Sequence, residues 1–134
     1  MKNEQKELLL KDLCGRLPYC VKCAEITPDT NFINKNLWEI VRIKVDLNEV
    51  GVSNCYVIYG NFENIDNIKP YLFPMSSMTE ELREEHKDLL DNQYSFDANG
   101  NVFTLQDFYC KYHIDYRGLI SMGLALDATG LKIY

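Results

Sequence analysis

The sequence lacks any long apolar stretch, and this absence bears on where the protein acts. No segment approaches the roughly 18 consecutive apolar residues that a membrane-spanning helix needs. The first residues, MKNEQKELLLKDL, carry charges where a secretory signal has its apolar core. We therefore expect a cytoplasmic protein that has no membrane partner.

Basic residues are scarce relative to acidic ones. The chain has 14 Lys and Arg residues against 20 Asp and Glu residues, which gives a formal net charge of −6. Proteins that bind a phosphate backbone do so mainly through Lys and Arg side chains, which displace counterions from the phosphates. The charge balance therefore predicts that nucleic acid is not a partner.

The familiar catalytic motifs are missing as well. The chain has no G-x-S-x-G elbow, P-loop, dinucleotide fingerprint or H-E-x-x-H helix. A Cys/His nucleophilic pair is the enzyme alternative that stays open. Its candidate members are Cys14 or Cys110 as nucleophile, His86 or His113 as base, and Asp107 or Asp115 as the orienting acid. No sequence pattern brings these residues together, and the favoured prediction is a protein without a catalytic site.

The five cysteines favour reduced thiols over a disulfide framework, because their number is odd and the sequence shows no export signal. Cys20-x-x-Cys23 has the spacing of a zinc knuckle, and Cys110-x-x-His113 would complete a Cys3His set. A strand, however, sends residues three apart to opposite faces, and the turn that a knuckle needs is missing. We expect neither a metal nor another cofactor.

A chain of 134 residues with 46% apolar and 25% charged residues is typical of one globular domain, here residues 1–134. Within this domain, the helical patterns are clearest at the N-terminus. Leucines at three- and four-residue spacing predict an amphipathic helix over residues 4–17, ended by Gly15 and Pro18. Further helices are predicted from residue 78, over residues 105–113 with Thr104 as cap, and over residues 115–123, closed by Gly123.

The β-forming runs are short and separated by turn-forming residues. Strands are predicted over residues 20–26, 37–47 and 54–60, with residues 27–36 as a loop and 48–54 as the turn of an antiparallel pair. Asn99-Gly100 predicts a hairpin within YSFDANGNVFTL, because this dipeptide readily takes positive φ angles. Together the elements predict an α+β fold, in which a small, mostly antiparallel sheet packs with N-terminal, central and C-terminal helices.

The stretch KPYLFPMSSMTEE, residues 69–81, is the most distinctive local feature. Its two prolines disfavour a helix and predict an extended connector. Ser77 and Glu80 match the capping box of a helix that begins at Met78. The inward stripe of that helix is predicted to contain Met78, Leu82, His86, Leu89 and Leu90.

Tyr71, Leu72 and Phe73 lie between the two prolines and have two interpretations. As a structural clamp, at least two of the three would be buried against the acidic helix or the final helical segment. As a docking surface, one or two would stay exposed, because a proline-stiffened aromatic segment loses little entropy on binding. The clamp is the favoured interpretation, and Tyr71 and Phe73 are the candidates for contact with a partner or ligand.

The segments IKPYLFPMSSMTEELREEH and HIDYRGLISMGLAL carry a resemblance to other proteins. They resemble a group of small proteins of gut bacterial and phage genomes, which share a KPYLxPMSSMTEE run and a DYRGLI run near the C-terminus. The initial KELLLKDLCGRLPY is similar to the same group. The resemblance implies a phage or mobile-element setting and implies no chemistry.

Tyr116 and Arg117 complete the candidate binding residues. Arg117 can pair with an acidic group or a phosphate while Tyr116 stacks beside it, or it can form a salt bridge with Asp115 or the acidic helix. If Arg117 and Tyr71 face one groove, a small anionic ligand becomes a candidate.

The favoured function is a non-catalytic binding or adaptor protein that contacts another protein. The acidic surface of TEELREEHKDLLD would steer it toward a basic partner. The alternatives are a counter-defence protein that binds a small anionic ligand and, less favoured, the Cys/His enzyme.

Overall fold

The structure is a computed structural model that describes residues 2–27, 32–44, 49–53 and 61–134. Within these ranges the helices are α1 (Asn3–Arg16), α2 (Glu80–Asn92) and α3 (Leu105–Lys111), and 3-10 turns cover Leu17–Tyr19, Ile65–Asn67 and Met75–Ser77. The strands are β1 (Lys22–Thr27), β2 (Phe32–Lys44), β3 (Glu49–Ser53), β4 (Asn61–Asn64), β5 (Ile68–Pro74), β6 (Tyr94–Phe96), β7 (Val102–Thr104), β8 (Ile114–Asp115) and β9 (Leu126–Asp127).

The main sheet has the strand order β4-β3-β2-β1-β5, and every neighbouring pair in this run is antiparallel. β8 and β9 both pair in parallel with β5, at Phe73–Pro74 and at Tyr71–Leu72 respectively. β6 and β7 form a separate antiparallel hairpin. The predicted α+β class with a mostly antiparallel sheet is confirmed.

α1 packs against the main sheet through its leucines. Leu9 and Leu13 are fully buried in one core cluster with Ile40 of β2 and Leu72 of β5. Burial of each such side chain contributes about 1.5–3 kcal/mol to stability. Gly15 lies inside α1 and does not end it; a Cβ there would lie 3.3 Å from Gln106 Nε2, because α3 approaches closely.

α2 and α3 form a second core cluster with β8. Its buried members are Leu89, Phe108, Tyr109 and Ile114, with Met78 and Leu82 partly buried against them. His86 belongs to the same side of α2, since its ring stacks on Phe108 and its Nε2 lies 2.7 Å from the Tyr109 hydroxyl. The predicted inward stripe is therefore confirmed except for Leu90, which is 55% exposed.

A buried ion cluster joins α1 to the segment that follows α3. Asp12 and Arg16 lie one helical turn apart with fully buried side chains, and Arg16 Nε is 2.7 Å from Asp12 Oδ2. Arg16 also donates to the Ile114 carbonyl at 2.7 Å, and Arg117 Nε lies 3.1 Å from Asp12 Oδ1. Since Ile114 belongs to β8, the cluster holds this strand against α1.

The predicted loop 27–36 and turn 48–54 are wrong where the structure describes them, and residues 28–31, 48 and 54 lie outside the described residues. β2 begins at residue 32, within the predicted loop 27–36, and β3 covers Glu49–Ser53, within the predicted turn 48–54. Val50 of β3 is fully buried, and burial of this valine outweighs the turn preference of its Asn and Gly neighbours. The predicted strand 54–60 and the last residues of the predicted strand 37–47 lie outside the described residues.

KPYLFP is a strand of the main sheet and not a free connector. It forms β5, because the φ angle that proline imposes also suits extended backbone. Leu72 is fully buried, whereas Tyr71 and Phe73 are half-buried, since alternate side chains of a strand point to opposite faces. The prediction that at least two of these three residues are buried is wrong.

The start of α2 differs from the predicted one. α2 begins at Glu80, and Thr79 caps it by accepting a hydrogen bond from Leu82 N at 3.3 Å. Ser77 instead donates to the Pro74 carbonyl at 2.7 Å and closes the 3-10 turn that follows β5. The predicted Ser77 cap is therefore displaced by two residues.

The hairpin and the Thr104 cap are confirmed. β6 and β7 pair as predicted, with a loop of residues 97–101 in which Gly100 has a φ of 80°. Thr104 Oγ1 accepts from Asp107 N at 3.2 Å, and Asp107 Oδ2 accepts from Thr104 N at 2.9 Å. This reciprocal pair is a capping box that starts α3.

The predicted last helix, residues 115–123, is wrong. Asp115 belongs to β8, and its carboxylate accepts from the backbone N–H groups of Leu119 and Ile120 at 2.8 and 2.9 Å. Gly118 lies inside the predicted helix with a φ angle of 76°, which the interior of a helix does not allow. The segment folds into successive turns.

Candidate functional site

A cavity of about 420 Å³ lies where β5, α2, α3 and β8 converge. β5 contributes Phe73, the chain around the start of α2 contributes residues 77–79 and 82, and the chain from the end of α3 into β8 contributes residues 111–114. Tyr134 completes the lining. The volume lies within the roughly 300–1,000 Å³ that is typical of small-molecule sites.

Most of the cavity wall is apolar or aromatic. The side chains that form this part of the wall are Phe73, Met78, Leu82, Tyr112, His113, Ile114 and Tyr134. Ile114 is fully buried, whereas Phe73 and Leu82 are half-buried and keep part of their surface open. A ligand that covers this surface gains roughly 25 cal/mol per Å² of apolar area.

Lys111 gives the cavity a positive charge. Among the described residues of the lining it is the only charged side chain, and the lining contains no Asp or Glu. Its Nζ lies 5.6 Å from the centroid of the Phe103 ring and 5.3 Å from that of Tyr112, so cation–π attraction holds it beside the cavity. Glu85 lies outside the lining, but its Oε2 accepts from the Tyr112 hydroxyl at 3.2 Å, so one acidic group lies next to the cavity wall.

Two hydroxyl groups add polar character near the start of α2. Ser77 donates its hydroxyl hydrogen to the Pro74 carbonyl. Thr79 accepts from the backbone in its cap, so its own hydroxyl hydrogen is still able to reach a ligand acceptor. These two hydroxyl groups and Lys111 are polar groups that the cavity can offer to a ligand.

His113 lies at the contact between the cavity wall and the main sheet. Its backbone has a φ of 57°, and its carbonyl accepts from Phe73 N at 2.8 Å. The ring stacks on Tyr134 with centroids 3.6 Å apart, and its Nδ1 is buried without a hydrogen-bond partner among the described residues. Burial, together with the charges of Arg16 and Lys22, lowers the pKa of His113 from 6.5 to about 4. The ring is therefore neutral at pH 7.

Tyr134 joins this wall to two strands. Its hydroxyl accepts from Lys22 N and donates to the Tyr71 carbonyl, each at 2.8 Å. Burial raises the pKa of Tyr134, so the hydroxyl keeps the hydrogen that it donates. Its ring also contacts Phe73, with centroids 5.8 Å apart. One aromatic side chain thus connects β1, β5 and the cavity.

The structure brings one of the four predicted binding residues to the cavity. Phe73 lines it, whereas Tyr71, Tyr116 and Arg117 do not. Tyr116 stacks on Tyr109 with ring centroids 4.8 Å apart, and Arg117 lies over the Tyr116 ring while it pairs with Asp12.

The ion-pair interpretation of Arg117 is therefore supported, although its partner is Asp12 and not Asp115. Lys111, Tyr112, His113 and Tyr134 belong to the cavity without having been predicted as binding residues. Of these, His113 was a candidate only as the base of a Cys/His pair or as a zinc ligand, and no local pattern marks the other three.

The Cys/His enzyme alternative gains no support from the geometry. Asp107 and Asp115 are both used as backbone caps, and His86 is bonded to a tyrosine hydroxyl. Burial raises the pKa of the Cys110 thiol and raises that of Cys23 to about 12, which opposes thiolate formation.

The alternative of a zinc site gains no support from the geometry either. Among the residues that the structure describes, no three His, Cys, Asp or Glu side chains lie close enough together to hold a metal ion. Cys20 is exposed while Cys23 and Cys110 are buried, and all three are free thiols.

Comparison with known proteins finds no family model, no curated protein and no solved structure that matches this chain. In the described part of the chain, the helices lack the combination of length and apolar composition that crossing a membrane requires. The functional assignment must therefore come from the site itself.

Proposed function

We propose that this protein is a small, non-catalytic binding protein whose cavity takes a ligand with an apolar, flat part and one anionic group. The observation that carries this proposal is the cavity of about 420 Å³, whose wall is mostly apolar and whose charged side chain is Lys111. An apolar wall with a few placed polar groups is the common composition of small-ligand sites.

We propose the anionic group from the charge that the lining side chains themselves carry. A carboxylate or similar group would be repelled by most of an acidic protein surface, yet the described lining has an ammonium and no acid. Lys111 is exposed, so the attraction is modest, about 0.2–1 kcal/mol. The apolar contacts therefore supply most of the affinity, and Lys111 selects the sign of the charge.

The proposed setting is a phage or mobile element acting in the cytoplasm. This part of the proposal depends on the resemblance carried by KPYLFPMSSMTEE and DYRGLI. A protein of this kind that sequesters a small anionic metabolite would act as a counter-defence protein. It would work by binding alone, which agrees with the use of Asp107 and Asp115 as backbone caps and with the raised pKa of the buried Cys110 thiol.

A matched pair of probes tests the proposal. Indole-3-acetate and indole-3-acetamide share a flat apolar ring and differ in charge, and their affinities can be measured by isothermal titration calorimetry. We expect the carboxylate to bind more tightly than the amide. Lys111→Gln should weaken the carboxylate about two- to fivefold and leave the amide unchanged, as expected for one partly exposed ion pair.

Two further variants separate cavity binding from adsorption to the surface. Met78→Trp places a larger side chain at the cavity wall and should abolish binding of both probes. Met122→Trp makes the same change at a residue that is 47% exposed and not part of the lining, and should have no effect. If neither probe binds, or if both variants behave like the unmodified protein, the proposed function is wrong.

A further inference from the structure

The hairpin formed by β6 and β7 turns an apolar face to solvent. We call this surface the hairpin face. It consists of the side chains of Tyr94, Phe96 and Val102, which are 51%, 64% and 59% exposed. Phe96 pairs with Val102 across the hairpin, and residues two apart on one strand share a face, so the three side chains are neighbours. The rings of Tyr94 and Phe96 meet edge to face, with centroids 5.8 Å apart.

The hairpin face is not required for the core, because the opposite side of the hairpin already packs there. Phe103 points to that opposite side and packs, half-buried, against the cluster of α2 and α3. The loop is also fixed, since Asp97 Oδ1 accepts from the backbone N–H groups of Asn99 and Asn101 at 2.9 Å. A contiguous apolar face on a fixed support is typical of an interaction site and loses little entropy on binding.

Acidic side chains precede the hairpin face in the chain and lie in the hairpin loop. α2 ends at Asn92, directly before β6, and its sequence EELREEHKDLLDN has six acidic residues against one Arg and one Lys. Asp88 and Asp91 lie exposed in its last two turns, and Asp97 lies in the loop. A second copy of the chain would bring like charges together at this surface, whereas a basic partner would be attracted.

We propose that the hairpin face docks a basic and apolar segment of another protein. The apolar side chains of that segment would cover Tyr94, Phe96 and Val102, while its Lys or Arg side chains would face the acidic residues at the end of α2. This surface shares no residue with the cavity lining. It supplies the protein contact that an adaptor needs. The docking proposal does not depend on whether the cavity binds a ligand.

Defined peptides test this docking surface by fluorescence anisotropy. The probe is a labelled twelve-residue peptide in which lysine and leucine alternate, compared with its glutamate–leucine and lysine–serine counterparts. We expect the lysine–leucine peptide to bind at least about tenfold more tightly than either counterpart, because the surface needs both charge and apolar contact. Phe96→Ser and Tyr94→Ser should each weaken it by roughly fivefold or more.

Matched variants elsewhere on the surface provide the controls. Leu131→Ser changes a residue that is 50% exposed and outside the hairpin, and should leave peptide affinity unchanged. Asp88→Asn with Asp91→Asn should weaken the lysine–leucine peptide and reduce its salt dependence, whereas Glu4→Gln with Glu7→Gln, on α1, should not. The proposal is overturned if the lysine–leucine peptide does not bind, or if Phe96→Ser, Tyr94→Ser and Val102→Ser all bind it normally. It is also overturned if light scattering shows a dimer that Phe96→Ser abolishes, because the occupant would then be a second copy.

Discussion

Replacement of Arg16 by methionine should destabilise the protein strongly. The Arg16 side chain is fully buried, and it donates to both Asp12 oxygens and to the Ile114 carbonyl. Arg16→Met keeps a similar apolar stem but leaves the Ile114 carbonyl without this donor and leaves Asp12 with Arg117 alone. Removal of one member of a buried ion pair costs about 3–5 kcal/mol. Since a domain of this kind has about 5–15 kcal/mol in total, the variant should be close to unfolding.

The free energy of unfolding from urea titration, followed by circular dichroism, measures this cost. Arg83→Met is the matched control, because Arg83 is exposed on α2 and, within the part of the chain that the structure describes, donates to the Ser76 carbonyl alone, at 3.4 Å. We expect it to unfold at nearly the same urea concentration as the unmodified protein. The double variant Asp12→Leu with Arg16→Met should be more stable than Arg16→Met alone, because the fully buried Asp12 carboxylate is then no longer left without its main partner. Arg117 also loses Asp12, but its side chain is partly exposed and can be solvated.

The reasoning would be refuted if Arg16→Met lost no more stability than Arg83→Met. It would also fail if the double variant lost the sum of the two single costs, since that would mean that Asp12 and Arg16 do not interact. Because Ile114 lines the cavity, Arg16→Met should in addition weaken binding of indole-3-acetate in the fraction that remains folded.

Three further predictions concern the elements around the cavity. Thr79→Ala should cost about 1 kcal/mol in urea unfolding and Ser77→Ala less, because Thr79 is the α2 cap; equal costs would contradict this. Leu72→Ala should cost about 2–5 kcal/mol, since Leu72 is fully buried, and a cost below that of Tyr71→Ala would contradict the strand orientation. The pKa of His113 is about 4 in the folded protein and 6.5 in the unfolded chain, so the free energy of unfolding should fall as the pH drops from 6.5 toward 4. This fall should be less steep in His113→Asn. Equal pH dependence of the two proteins would count against a buried neutral ring.

Local patterns predicted those elements in which local and tertiary preferences agree. The leucines of α1 repeat at helical spacing, and Leu9 and Leu13 are indeed buried. The capping box of Thr104 and Asp107 is a contact between residues three apart, so it is visible without any knowledge of the fold. The acidic helix α2 was predicted for the same reason, although its cap is Thr79.

The wrong predictions are those that tertiary contacts decide. β3 occupies a stretch with turn-forming residues because the sheet buries Val50. The final helix fails because the Asp115 carboxylate takes the N–H groups of Leu119 and Ile120, which sequence spacing does not reveal.

The cavity could be predicted only in part, because its residues are far apart in the chain. Phe73 belongs to KPYLFPMSSMTEE, a segment whose prolines and aromatic residues make it distinctive in the sequence. Lys111 carries no pattern that separates it from an ordinary surface residue. His113 stands out only through the spacing Cys110-x-x-His113, which does not indicate a cavity. Tyr134 contacts Phe73 and His113 only because β5 and β8 are neighbours in the sheet.

Chemical-shift mapping with indole-3-acetate is the most direct test of the proposal that the cavity binds an apolar anion. Amide resonances of the ¹⁵N-labelled protein would be followed as the probe is added. Saturable shifts should centre on Phe73, Leu82, Tyr112 and Ile114 and leave Phe96 unmoved, because the first four line the cavity and the last lies on the hairpin face. The absence of saturable shifts, or shifts centred away from these four residues, would contradict the account.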